Sequence, residues 1–318
     1  MLAVFWSFCQ LGWAVFVNRR RTTKLLASLN EVLAEFGFAL DEVTKKRIHF
    51  YTAQSAITNH WFCALRGKKP TPHEIENALL LGAFTPIADD LMDESGQTFE
   101  QLENQESKAT TAHILFGYLL ERLKPMRDTK PAFASYFAKA HHAQNQSLLQ
   151  LQKEPLDLDI LERITFDKGG YYTTLYRFVL NHPAQPGEEA AMYTLGAILQ
   201  VLNDLFDMHK DYHNGVQTLV TRTANIHAVA EKLNALEVQF RHQFFGLNYP
   251  QKNKKRAYRA IMAIVTRGHV ALAHYKKLQG TAPQLNIGAY PRKALIVDME
   301  KLGNIGKNLK ETEKAVFP

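Results

Sequence analysis

From residue 22 onward, apolar positions recur at three- and four-residue spacing almost without interruption, and long alternating runs of β-branched residues are missing. That period belongs to amphipathic helices packed on one another rather than to strands. It predicts helices over 22–36, 41–65, 72–95, 106–123, 131–151, 157–181, 187–213, 221–246, 252–278 and 290–314. The separators carry Pro, Gly, Asn and charged residues, as in Lys124-Pro125, Glu154-Pro155 and Asn181 to Gly187. Thr71-Pro72-His73-Glu74 combines a capping hydroxyl, a proline at the first helical position and a glutamate three residues after the cap. Asn214-Gly215 supplies a residue tolerant of left-handed backbone where a helix should stop. No internal repeat, low-complexity tract or long linker divides the chain. The pattern therefore gives an all-α class, with one domain over 22–318. A helical scaffold or repeat array has the same pattern and stays open at this point.

Residues 1–21 stand apart. Leu2 to Val17 are mostly apolar, with two tryptophans and three phenylalanines, and Arg19, Arg20 and Arg21 follow. A secretory signal has its positive charge before the apolar run, so this order predicts no secretion. The run is shorter than the ~20 residues of a spanning helix, and Ser7 and Gln10 interrupt it. Three readings remain: a helix packed on the domain or at a subunit interface of a homodimer, an interfacial anchor at a membrane surface, and a short span.

Composition narrows the partners. Lys and Arg exceed Asp and Glu to give a formal net charge of +7, which favours anionic partners. The basic residues are dispersed without an aromatic-basic nucleic-acid motif, so no nucleic-acid partner is expected. Cys9 and Cys63 are the only cysteines, which excludes a disulfide framework and a cysteine-rich zinc site. A cytoplasmic setting follows, at the inner membrane surface if residues 2–17 act as an anchor.

Two segments place carboxylates inside otherwise apolar helices. In Gly82 to Glu94, Asp89 and Asp93 share a helix face, with Asp90 and Glu94 as a neighbouring pair. Like charges at this spacing destabilise a helix, and a divalent cation reverses the sign. Magnesium takes oxygen ligands and usually combines one or two carboxylates with phosphate and water. A solvated acidic helix end explains this segment equally well when it is taken alone. In Leu195 to Asp211, Asn203, Asp207 and Asp211 fall at i, i+4 and i+8, just past a buried stretch, with Lys210 beside them. Three stacked oxygen donors at that place suit a metal chelate. Between the segments, Asp167-Lys168-Gly169-Gly170-Tyr171-Tyr172 puts paired glycines in a helical pattern, where an opened helix would offer amides to an anion. Arg177 lies further along the same predicted helix. The aromatics Trp61, Phe62, Phe84, Tyr171, Tyr172, Tyr176 and Phe206 are either core or the wall of an apolar cavity that stabilises cations through ring faces.

Asp89-Asp90-x-x-Asp93-Glu94 resembles the aspartate-rich first motif of class I terpene synthases and trans-prenyltransferases. Asn203 to Asp211 is similar to the second motif of bacterial terpene synthases, with aspartates in place of the usual serine and glutamate. Gly196, Gln200, Asn203, Asp207 and Asp211 also match the second motif of squalene and phytoene synthases. Asp211 to Leu219, DYHNGVQTL, resembles the D-x-x-x-G-x-x-T-L tail of polyprenyl synthases. The motif pair resembles the class I isoprenoid synthase superfamily as a whole. This resemblance implies a helical bundle around a central active-site cavity, a prenyl diphosphate substrate and Mg2+, three ions if it extends that far. Asp89, Asp90, Asp93, Asn203, Asp207 and Asp211 would be the metal ligands. Lys168, Arg177, Lys210, Phe84 and Tyr172 would contact substrate, with Phe84, five residues before Asp89, limiting chain length. Asp89, Asp90, Asn203 and Lys168 would act in the ionisation step.

Three fates of the resulting cation are compatible with the motifs. Asn203-Asp204-Leu205-Phe206 with Lys210 favours cyclisation, the first reading. Chain elongation and head-to-head coupling are the alternatives, although Ser95-Gly96-Gln97 stands where elongating enzymes carry an arginine tail and no arginine lies in 84–88. A non-catalytic scaffold or lipid-binding protein is the last alternative.

Overall fold

Local signals in the sequence explain where most of the helices begin and end. The computed structural model describes residues 2–104 and 110–316. Fourteen α-helices are described: α1 Leu2–Ala34, α2 Glu42–Arg66, α3 Pro72–Ser95, α4 Phe99–Glu103, α5 Thr111–Thr129, α6 Pro131–Ser147, α7 Leu158–Phe178, α8 Glu188–His213, α9 Leu219–Thr223, α10 Ile226–Gly246, α11 Gln251–Val265, α12 Arg267–Gln279, α13 Arg292–Leu295 and α14 Leu302–Val316. Short 3-10 turns cover Leu148–Leu151 and Ile287–Ala289, and no strand occurs among the described residues. The chain is all-α.

Caps set the helix starts. Asp41 Oδ1 accepts from the amides of Val43 and Thr44 at 2.8 Å each and opens α2. The Thr71 hydroxyl accepts from the Glu74 amide at 3.2 Å while Glu74 Oε2 accepts from the Thr71 amide at 2.8 Å, the reciprocal box expected from the sequence. Pro86 stays inside α3, where its ring nitrogen cannot bond the Gly82 carbonyl.

Six stretches differ from the periodic reading; among them 290–314 is divided into α13 and α14 with residues 296–301 outside any helix, and 131–151 passes into a 3-10 turn after Ser147. The first helix does not begin at 22 but runs unbroken from Leu2, because its buried positions continue through Val4, Leu11, Asn18, Thr22 and Leu26. The predicted start of 106–123 at residues 106–109 lies outside the described residues, and that helix passes through Pro125 to Thr129. The stretch 221–246 splits where Ala224 adopts a φ of 46° and Asn225 caps α10. The stretch 252–278 breaks at Thr266, whose hydroxyl donates to the Met262 carbonyl at 2.7 Å.

The chain divides into two compact units. One, called here the α3 unit, comprises Cys9–Asn145 and Leu175–Pro183. In it α3 packs on α2 and α5, and α1 is tied to α2 by the Asn18 side-chain amide donating to the Thr52 carbonyl at 2.8 Å. Its core holds an aromatic group in which Phe84 lies 5.4 Å from Phe116 and 5.8 Å from Phe137 between ring centres. The other, the α8 unit, comprises Met1–Phe8, Gln146–Thr174 and Ala184–Pro318. There α8 packs on α9, α10 and α12, and α14 closes over α11 and α12.

Candidate active site

The carboxylates of the second motif are positioned by a close helix crossing. Gly169 on α7 and Gly196 on α8 meet backbone to backbone. A Cβ on either glycine would run into the other's carbonyl oxygen. Gly170 lies against the Tyr193 ring, and the Tyr193 hydroxyl donates to Asp167 at 2.6 Å. The paired glycines therefore do not open the helix. They let α7 continue unbroken while α8 crosses at backbone distance.

The residue beside that crossing is Lys168. Along α8, Gln200, Asp204, Asp207 and Asp211 follow Gly196 at helical spacing. Asp204 is buried, accepts from the Gln200 amide at 3.0 Å and lies 3.4 Å from the Thr165 hydroxyl of α7. Burial pushes its carboxyl up to about 6, against the hydrogen bond from Gln200 and the charge of Lys168. Asp211 is pushed up to about 7, first by burial and then by the negative charges of Asp204 and Asp207, with Lys210 and Lys168 opposing. Burial, the first cause of both shifts, leaves the charged form of each carboxylate poorly solvated. An oxygen-preferring divalent cation is the kind of group whose charge would offset that cost. Lys210 is exposed and 3.8 Å from Asp207. Asn203 is exposed on the flank of this ladder. Asp204, which motif spacing passed over, holds the buried place instead.

In the α3 unit the first motif is anchored differently. Asp89 is 8% exposed, Asp90 pairs with Arg47 at 2.6 Å, and Asp93 accepts from the Gln144 amide at 2.9 Å. The Tyr51 phenol is raised first by its burial and then by the Asp89 carboxylate, so it stays protonated beside that acid. One turn before Asp89, Thr85 and Tyr176 share a hydrogen bond of 3.3 Å. Phe84 is wholly enclosed by Phe99, Phe116, Phe137 and His141. Arg177 is 1% exposed, and its guanidinium meets His182 Nε2 at 3.0 Å and the Pro183 carbonyl at 3.2 Å. Tyr172 is half-buried on α7, one turn past Lys168.

The structure thus brings Lys168 together with the second-motif acids and sets the first-motif acids beside Arg47, Tyr51 and Gln144. Gln200 and Thr165 could have been found from Gly196 and Gly169 as a crossing point; Arg47 and Tyr51 carry no signal in the sequence alone. Among the described residues no three His, Cys, Asp or Glu side chains form a ready-made metal cluster. The donor set matches a hard cation that completes its shell with phosphate and water.

No protein-family model matches the sequence, and no curated protein does. Among solved structures the chain is similar to a geranyltransferase from Legionella pneumophila, at 14% identity and a TM-score of 0.47. That overlay covers 80% of this chain and 99% of the other. It is also similar to a geranylgeranyl pyrophosphate synthase from Corynebacterium glutamicum complexed with isoprenyl diphosphate and magnesium. There the identity is 13% and the TM-score 0.42, over 96% of this chain and 98% of the other.

Proposed function

We propose that the protein is a class I isoprenoid synthase that ionises an allylic prenyl diphosphate and transfers the prenyl group to isopentenyl diphosphate. The observation that carries this reading is the carboxylate ladder of α8, in which buried Asp204, held by Gln200 and Thr165, is followed at helical spacing by Asp207 and Asp211 next to the glycine crossing that bears Lys168. Such a ladder is costly without a cation. Asp207 and Asp211 with Asn203, and Asp89 with Asp90 and Asp93, are the proposed ligands. Mg2+ bound there supplies positive charge that stabilises diphosphate as a leaving group.

The chain's own residues have separate tasks. Lys168 neutralises charge growing on the departing diphosphate, a preorganised electrostatic role. Gln200 and Thr165 hold the Asp204 carboxylate. The glycine crossing fixes the register of Lys168 against α8. In the reaction the allylic C–O bond breaks and its electron pair leaves on the diphosphate oxygen. The double bond of isopentenyl diphosphate then attacks the cation, and a proton is lost.

Transfer is preferred to cyclisation because of how the second motif ends. Beyond Asp211, the Val216 amide donates to the Asp211 carbonyl at 2.9 Å, Gly215 takes a φ of 70°, and Thr218 caps α9. Those are the turn and cap that the polyprenyl-synthase-like D-x-x-x-G-x-x-T-L pattern calls for. Lys210, which carries the cyclase-like spacing, is exposed. The test is incubation with Mg2+ and geranyl or farnesyl diphosphate, with and without isopentenyl diphosphate, followed by mass analysis. The reading expects a lengthened prenyl diphosphate only when isopentenyl diphosphate is present. A hydrocarbon from the allylic substrate alone would establish cyclisation instead.

A further inference from the structure

The proposed chemistry does not use the outer face of α1. Its inner face is buried through Leu11, Asn18, Thr22 and Leu26. On the opposite side Trp13 is 67% exposed and Phe16 54%, and the same stripe continues toward the helix start as Phe5 and Trp6, the latter 63% exposed. Spacings of seven from Trp6 to Trp13, three from Trp13 to Phe16 and eleven from Phe5 to Phe16 place them on one side of the helix. Phe50 on α2 adds another aromatic, 59% exposed.

The stripe runs directly into positive charge. Arg20 and Lys24 continue it, with Arg19 and Arg21 alongside. A groove of about 370 Å3 opens where α1 meets α2, lined by Val15, Arg19, Lys46, His49 and Phe50. Among the described residues, neighbouring Lys45 and Arg47 are satisfied by Glu42 and Asp90, whereas Arg19, Arg20, Arg21, Lys24 and Lys46 have no carboxylate at ion-pair distance.

We propose that this face docks on an anionic membrane surface, with Trp13, Phe16 and Phe50 in the interfacial layer and Arg19, Arg20, Lys24 and Lys46 against lipid phosphates. Aromatic and basic residues combined on one amphipathic face are what such a surface binds. No helix among the described residues is long and apolar enough to cross a membrane, so this helix lies on the surface. A second copy of the chain is the poorer occupant: in a symmetric pair this face would meet itself, setting the five cations against the same five, and each copy already carries +7.

The experiment uses the full chain and vesicles of either phosphatidylcholine alone or equal parts phosphatidylcholine and phosphatidylglycerol. The protein should sediment with the anionic vesicles, and salt should weaken that binding. Of three tryptophans, Trp61 is buried while Trp6 and Trp13 are not, so emission should shift to the blue on binding. Arg19→Gln with Lys46→Gln should weaken anionic-vesicle binding by about tenfold or more. Trp13→Glu with Phe16→Glu should abolish it. Both double variants should keep the helical circular dichroism and the Mg2+-dependent release of pyrophosphate, which separates this inference from the catalytic one. The proposal is overturned by absence of vesicle binding or by equal binding to neutral and anionic vesicles. It is also overturned by a concentration-dependent dimer that Trp13→Glu with Phe16→Glu dissolves while vesicles stay unbound.

Discussion

At the scale of single residues, the decisive contrast is between Asn203 and Asp204. Adjacent in sequence, they differ in exposure because α8 turns about 100° per residue, and only Asp204 faces Thr165 and the Lys168 charge. Lys168→Ala should lower kcat by about a hundredfold or more, the usual loss when one preorganised charge is removed from a transition state. Steady-state kinetics checks this, with circular dichroism to show that the helices persist. Asp211→Asn should act in the same direction and also raise the Mg2+ concentration needed for half-maximal rate. A Lys168→Ala enzyme with unchanged kcat would remove that lysine from the site.

At the scale of elements, the α7–α8 crossing is the most demanding feature. Gly169→Ala should destabilise the fold by about 3 kcal/mol or more, because the added methyl group meets a backbone carbonyl that cannot rotate away. Urea unfolding measures it, with Gly303→Ala in α14 as a control, since nothing lies within 4 Å of a Cβ there. The crossing also shows where sequence reasoning stops. Helix period and capping residues are local signals, so α2, α3 and α8 were legible within a residue or two at their ends. The capping box at Thr71 was legible down to its individual hydrogen bonds. Gly169-Gly170 read as a helix opening because the reason for those glycines is Gly196, distant in the chain. The same holds for the donor ladder. Spacing from Asn203 selects i+4 and i+8, but only the partner helix decides which stripe is buried. Phe84 lies in an aromatic core whose members come from three further helices, information that periodicity does not carry.

At the scale of the whole molecule, stability should depend on acid in a defined window. Burial raises the Glu74 carboxyl, but its bonds to Arg66 and to the amides of Asn181 and Thr71 outweigh this and bring it to about 2, from 4.5. Its contribution is complete above 4.5 and fades as pH falls toward about 2. Burial lowers His141 from 6.5 to about 4, so the unfolded chain takes up that proton first and stability falls as pH drops through this range. One proton corresponds to about 1.4 kcal/mol per pH unit. Asp204 and Asp211, raised to about 6 and about 7, act in the opposite sense over the same range, so thermal unfolding reads the His141 contribution by difference. Between pH 6.5 and pH 4 the wild-type stability should fall relative to that of His141→Leu with a slope of about one proton.

The central claim concerns diphosphate chemistry, and it is tested most directly by pyrophosphate release from geranyl and farnesyl diphosphates with isopentenyl diphosphate present. The account predicts release that requires Mg2+ and falls about a hundredfold or more in Asp89→Asn and in Asp211→Asn, each with an unchanged helical spectrum. Full activity in either variant, or no release from the wild-type chain at any Mg2+ concentration, would contradict it.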